Sequence, residues 1–159
     1  PIILSSFVHF MRAESALVLN TTDDAVDQLE KGIRASIAKV TTFDSTLSEN
    51  EFAASENSIE TYVADILADF AVASDEEKLN IIMTQAYIAS WGNPIEAYNN
   101  YRRTGMPNNL QPTQEPAPGV FIRSFNYPSA AIENNPNITP KANQGVKVFW
   151  DVNTTNLDF

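Results

Sequence analysis

SDEEKLNIIMTQAYIASWGNPIEAYNNYRRTGMP, residues 74–107, carries two helices together with the signals that start and stop them. Ser74 with Glu77 three residues later has the spacing of a capping box, in which each side chain satisfies a backbone N–H of the other. Leu79, Ile82, Met83, Ala86 and Ala89 then recur by threes and fours, which places them on one helical face. Gly92 ends that helix. Asn93, Pro94 and Glu96 start the next one, with Asn at the cap, Pro at the first position and Glu three residues after the cap. Gly105 can take the left-handed conformation of a helix end, and Pro107 cannot continue the helical hydrogen bonding.

Working back from this stretch, the same pattern repeats. Ile59, Tyr62, Val63, Ile66, Leu67 and Phe70 make a third apolar stripe, and Val26, Leu29, Ile33, Ile37 and Val40 make a second. The first runs through Leu4, Phe7, Val8, Met11 and Leu17, with Pro1 suited to an opening helical turn. Asn20 to Asp24 is polar and breaks the chain. Thr21 with Asp24 predicts a capping box for the second helix. Residues 41–57 are mixed and acidic and are expected to form a connection, with at most a short helical turn. Two helix pairs joined by short turns predict a mainly α fold of stacked αα-hairpins, tetratricopeptide-like in architecture but without that repeat's consensus.

Beyond Met106 the composition changes. Seven of the nine prolines lie between Pro107 and Pro140, among many asparagines. Residues 1–105 are thus the expected helical scaffold and 106–159 an irregular, extended segment. Val120–Ile122 and Val146–Trp150 are its only strand-like pieces. Phe121, Phe125, Tyr127, Phe149 and Trp150 predict that the segment is packed onto the helices, since a disordered tail seldom holds so many large rings.

The totals exclude several functions. With no cysteine there is no disulfide, thiolate metal site or thiol nucleophile. Ten basic against twenty acidic residues give a formal charge of −10, which repels a phosphate backbone, so no nucleic-acid partner is expected. No apolar run approaches the roughly 18 residues of a membrane helix. The opening Pro-Ile-Ile-Leu, without initiator Met or signal peptide, reads as a piece of something longer.

Few residues suggest chemistry. His9, the single histidine, lies between Val8 and Phe10 and has no second ligand at metal spacing, so neither metal nor cofactor is expected. Acidic residues are abundant and two could in principle form a glycosidase pair, yet most fall at helix starts or on polar faces. Sequons at Asn20, Asn137 and Asn153 are of a kind that Asn-rich loops generate by chance. Trp91, Tyr98 and Tyr101 gather near the Gly92–Pro94 break and are the candidate sugar platforms, because an aromatic ring stacks on apolar sugar faces. Their helical spacing beside Ile95 favours core packing instead. Arg102 and Arg103 close a short helix, where cations suit the last carbonyls, and a structural role is expected for them.

Thr84-Gln85-Ala86-Tyr87-Ile88-Ala89, Trp91, and the block from Glu96 through Arg102-Arg103-Thr104-Gly105-Met106-Pro107 resemble the C-terminal part of SusD/RagB-family proteins. The similarity continues through Val120-Phe121-Ile122-Arg123 and Tyr127-Pro128, and closes with Asn143, Gly145 and Phe149-Trp150-Asp151. Ala13-Glu14-Ser15-Ala16 resembles an earlier helix of the family. Ser124 stands where the family often has a second arginine, and Ala130 and Ala131 precede Glu133 where an acid usually follows Tyr-Pro sooner. The pattern is similar to the family's second, more divergent branch.

The resemblance implies that residues 1–159 are the C-terminal part of one SusD-like domain. It implies an outer-membrane lipoprotein of Bacteroidetes-like bacteria, lipid-anchored on the outer face through an N-terminal region absent from this chain. Such a protein binds oligosaccharides or polysaccharides without catalysis and delivers them to a SusC-like TonB-dependent transporter. Arg102, Arg103, Thr104, Gly105, Pro107, Arg123, Tyr127, Pro128 and Trp150 would then be structural motif residues, and no ligand contact carries over. The alternative is a helical-repeat scaffold that binds protein alone.

Overall fold

Three of the helices described begin where a side chain meets the free N–H groups of the first turn. The computed structural model describes residues 3–43, 46, 53–117 and 119–153. Among them are α1 (Ser5–Leu19), α2 (Ala25–Thr41), α3 (Glu56–Val72), α4 (Asp75–Ala89), α5 (Pro94–Thr104) and α6 (Ser129–Asn134), and no strand. Pro1 lies outside the described residues, and α1 begins only after Leu4, which is extended. Thr21 and Asp24 do not form the expected box. Asp24 is itself the cap of α2, accepting from the N–H groups of Val26 and Asp27 at 2.8 and 3.1 Å. Ser55 caps α3. Ser74 and Glu77 form the complete reciprocal box at α4 that their spacing predicts.

The chain divides into two compact units, residues 1–98 and 99–159. In the first, α1 packs most extensively on α2 and also meets α4, while α2 and α4 both touch α3. The five-residue break between α1 and α2 and the two-residue break between α3 and α4 make each pair a hairpin. The core holds Phe7, Phe10 and Ala13 from α1, Leu29 and Ile33 from α2, Val63 and Phe70 from α3, and Ile82, Met83 and Ala86 from α4. Fully burying one such large side chain contributes about 1.5–3 kcal/mol.

The buried face of α1 is only partly the expected one: Phe7 is buried, but Val8 and Met11 are exposed while Ser6, Phe10 and Ala13 face inward. The reason is a close approach. A Cβ added to Gly32 of α2 would lie 2.7 Å from the Phe10 ring, so the missing side chain is what admits the aromatic. Two polar contacts reinforce the hairpins. Tyr62 donates to the buried Gln85 at 2.8 Å, joining α3 to α4. Arg34 binds Glu60 through two hydrogen bonds of 2.6 and 2.8 Å, joining α2 to α3, and the guanidinium lowers the Glu60 pKa.

In the second unit the irregular chain is organised around the C-terminal half of α5. Tyr101 is buried and meets Phe121 edge-on at 5.5 Å. Gly105 takes φ +73, and its N–H closes the helix on the Tyr101 carbonyl at 2.7 Å. Neither Val120–Ile122 nor Val146–Trp150 forms a strand. Arg123 and Ser124 instead both donate their N–H groups to one carbonyl, that of Gln144, at 2.9 and 3.1 Å, which breaks the alternation a ladder needs. The sequence reading also missed α6, a short helix opening directly after Pro128. Phe125 and Phe149, expected to pin the segment, are exposed.

Candidate functional site

The residues of the sequence motif in the second unit converge on one small network. Arg123 is 2% exposed, and its Nη1 donates to both carboxylate oxygens of the buried Asp151 at 2.6 and 2.7 Å. The Arg123 carbonyl in turn accepts from Nη1 of Arg102. Arg102 also donates to Asn99 Oδ1 at 3.0 Å, and its guanidinium lies 4.6 Å from the ring of Trp150. Two points of the chain, at residues 123 and 150–151, are therefore held to one helix by arginine.

The last carbonyls of α5 have a partner that the sequence reading did not name. Asn153 Nδ2 donates to the carbonyls of both Arg102 and Arg103, the former at 3.0 Å. Asn153 thus takes the role that the position of the arginines suggested for them. Arg103 is exposed and donates to Asn100 Oδ1 at 3.2 Å. Thr104 Oγ1 bonds back to the Asn100 carbonyl at 2.7 Å and accepts from the Met106 N–H at 3.1 Å, which shapes the turn into the buried Pro107. Tyr127 and Pro128 are exposed, and Lys141 reaches the Tyr127 ring at 5.0 Å while donating to Ser124 Oγ and the Phe125 carbonyl. Asp151 is legible as part of the family resemblance but its partner is not, and Asn153 carries no signal, because their partners lie 28 and about 50 residues away.

The three aromatic candidates have different fates. Tyr101 is buried in the second unit and can offer no platform. Tyr98 is half-buried. Trp91 is 94% exposed, contrary to the core packing its spacing suggested. It stands on the turn after α4, beside Gly92 at φ +85, and so escapes the helical face that its position would otherwise share.

Trp91 lines a cavity of about 450 Å³ within the first unit. The start of α1 contributes Ser6, the end of α2 contributes Ser36, Lys39, Val40 and the following Phe43, and α4 contributes Ile88. Its walls are mostly apolar, with the Lys39 ammonium 5.4 Å from the Phe43 ring centre. Among the described residues no group of three or more His, Cys, Asp or Glu is placed to hold a metal, and no helix is long and apolar enough to cross a membrane.

Comparison with known families decides the lineage. The family described as SusD-like, Susd and RagB outer membrane lipoprotein, matches residues 2–157. This chain belongs to the SusD/RagB family. A structure described as a chitin-binding protein is similar at 29% identity and TM-score 0.69, over 93% of this chain and 33% of that one. A Bacteroidetes AC2a SusD-like structure shares 32% identity at TM-score 0.56, over 69% of this chain and 20% of its own. A SusD homologue from Bacteroides fragilis NCTC 9343 shares 29% identity at TM-score 0.53, over 64% and 22%. The chain therefore spans about a fifth to a third of the length of these three structures. A comparison with curated protein sequences gave no match.

Proposed function

We propose that this chain is part of a glycan-binding lipoprotein of the bacterial outer surface, which captures nutrient oligosaccharides and hands them to a TonB-dependent transporter. The observation that carries this reading is the family match over residues 2–157, supported by a chitin-binding structure that is similar across 93% of the chain. The helical hairpins supply a rigid framework of the kind on which binding loops are mounted. Binding is non-catalytic in this reading, and the transporter is the protein partner. The test is calorimetric titration of the full-length protein with a broad panel of oligosaccharides, together with co-purification of a TonB-dependent transporter from membranes. Saturable binding of at least one glycan and recovery of the transporter are expected. Recovery of a protein partner with no affinity for any glycan would instead favour a protein-binding helical scaffold.

A further inference from the structure

Helix α1 is apolar on two sides. Phe7, Phe10 and Ala13 face the core of the first unit. On the opposite side Leu4, Val8, Met11, Ser15 and Val18 step by four, three, four and three along the chain, the 3.5-residue spacing of a coiled-coil seam. Val8, Met11 and Val18 are 39, 49 and 53% exposed. Ser15 is small, and its hydroxyl donates back to the Met11 carbonyl at 2.8 Å, so it adds no unsatisfied donor to the seam. The charges of α1 are Arg12 and Glu14, and Arg12 is drawn off the seam to Asp23 at 2.9 Å. A helix with apolar residues on both sides is suited to burial on both.

The seam specifies what covers it. Fifteen residues rise about 22 Å, and knobs at this spacing fit the holes of another helix of about four turns laid at a shallow angle of about 20°. A second copy of this chain is disfavoured as the source of that helix. Residues 1–98 hold sixteen acidic against five basic residues, so two such units repel each other. The remainder of the same polypeptide meets no such bar to association, because a tethered helix is present at a high effective concentration. Polypeptide is available for it. The structure similar over 93% of this chain has 33% of its own length in the match, so most of that assembly lies outside the matched part. We propose that the outer face of α1, from Leu4 to Val18, is an internal docking seam for an amphipathic helix that the full-length protein contributes from outside residues 1–159. The proposal does not depend on what the protein binds.

The experiment is photo-cross-linking of the full-length protein with benzoylphenylalanine in place of Met11 or, separately, Val18, with Lys31 on α2 as the polar control position. Mass spectrometry of the digest identifies the joined peptides, and gel mobility separates internal links from links between copies. Both seam positions are expected to join a peptide from outside residues 1–159 within one polypeptide, in yield well above that from position 31. A charge in the seam gives a second readout: Met11→Asp should lower the melting temperature of the full-length protein by about 5 °C or more, and Lys31→Ser by less than about 2 °C. Links that fall only within residues 1–159, or no link from either seam position, would overturn the proposal. So would a Met11→Asp variant that melts like the parent. A linked dimer would assign the face to a second copy and overturn it equally.

Discussion

Asp151 is the side chain on which the C-terminal network depends most. With Arg123 it forms an ion pair almost wholly out of water, and Nη2 of Arg123 is buried without a hydrogen-bond partner among the described residues. Removing one member of such a pair strands the other charge, so Asp151→Asn and Arg123→Met should each cost about 3–5 kcal/mol. The double variant Arg123→Met/Asp151→Leu should lose much less than the sum, because replacing both charges by apolar groups removes the desolvation cost as well. Urea unfolding of all three variants measures the coupling; additive losses would mean that the pair is not coupled. Arg102 acts differently, through the Arg123 carbonyl and the Trp150 ring. Arg102→Ala should lower stability by about 1–3 kcal/mol and leave glycan affinity near the parent's, and the same urea and titration series checks both. A variant that melts like the parent but loses its ligand would move this block from framework to binding site.

Among the elements, α4 has the best-defined start. Glu77 accepts from the Ser74 N–H and hydroxyl at 2.8 and 2.7 Å, and the backbone bond, then the hydroxyl bond, lowers its pKa. A carboxyl whose folded pKa is depressed contributes stability that is present above its ordinary pKa, about 4.3, and is lost as pH falls through the lowered folded value. Glu77→Ala should therefore melt below the parent at pH 7, and the gap should narrow steadily as the buffer is acidified past pH 4. Ser74→Ala removes the other half of the box and should cost about 1 kcal/mol. The α1–α2 hairpin makes a second point. Alanine is the better helix former, which by itself would favour Gly32→Ala by about 1 kcal/mol. The Cβ would however stand 2.7 Å from the buried Phe10 ring, and overpacking typically costs about 1–3 kcal/mol. A net loss of stability is expected, relieved when Phe10→Leu is added; a more stable Gly32→Ala variant would show that the ring moves freely.

For the whole molecule, the proposed function is capture without turnover. Among the described residues several acids are engaged in caps and ion pairs: Asp24 and Glu77 at helix starts, Asp23 with Arg12, Glu30 and Glu60 with Arg34. Incubation of the full-length protein with a polysaccharide panel should release no reducing sugar over a day. Turnover abolished by a single Glu or Asp substitution would replace the capture reading with an enzymatic one. The surplus of ten negative charges fits a sugar better than a nucleic acid, because a neutral glycan has no charge to be repelled.

Local chemistry determined much of this protein from sequence alone. A cap, a glycine at positive φ or a proline acts within one turn of its own position, so the four long helices, the Ser74–Glu77 box and the Gly105 stop were all legible, as was the family block around Arg102. Where a signal was ambiguous over a few residues it misled: Thr21 and Asp24 had the spacing of a box, but Asp24 alone caps the helix. Tertiary structure decided the rest. Which face of α1 is buried follows from the space that Gly32 leaves for Phe10 on another helix. Whether Trp91 is packed or exposed depends on where the turn at Gly92 aims it. The pairing of Arg123 with Asp151, and of Asn153 with the end of α5, joins residues 28 and about 50 positions apart through irregular chain. No periodicity runs through such chain, so only its folded path brings those partners within bonding distance.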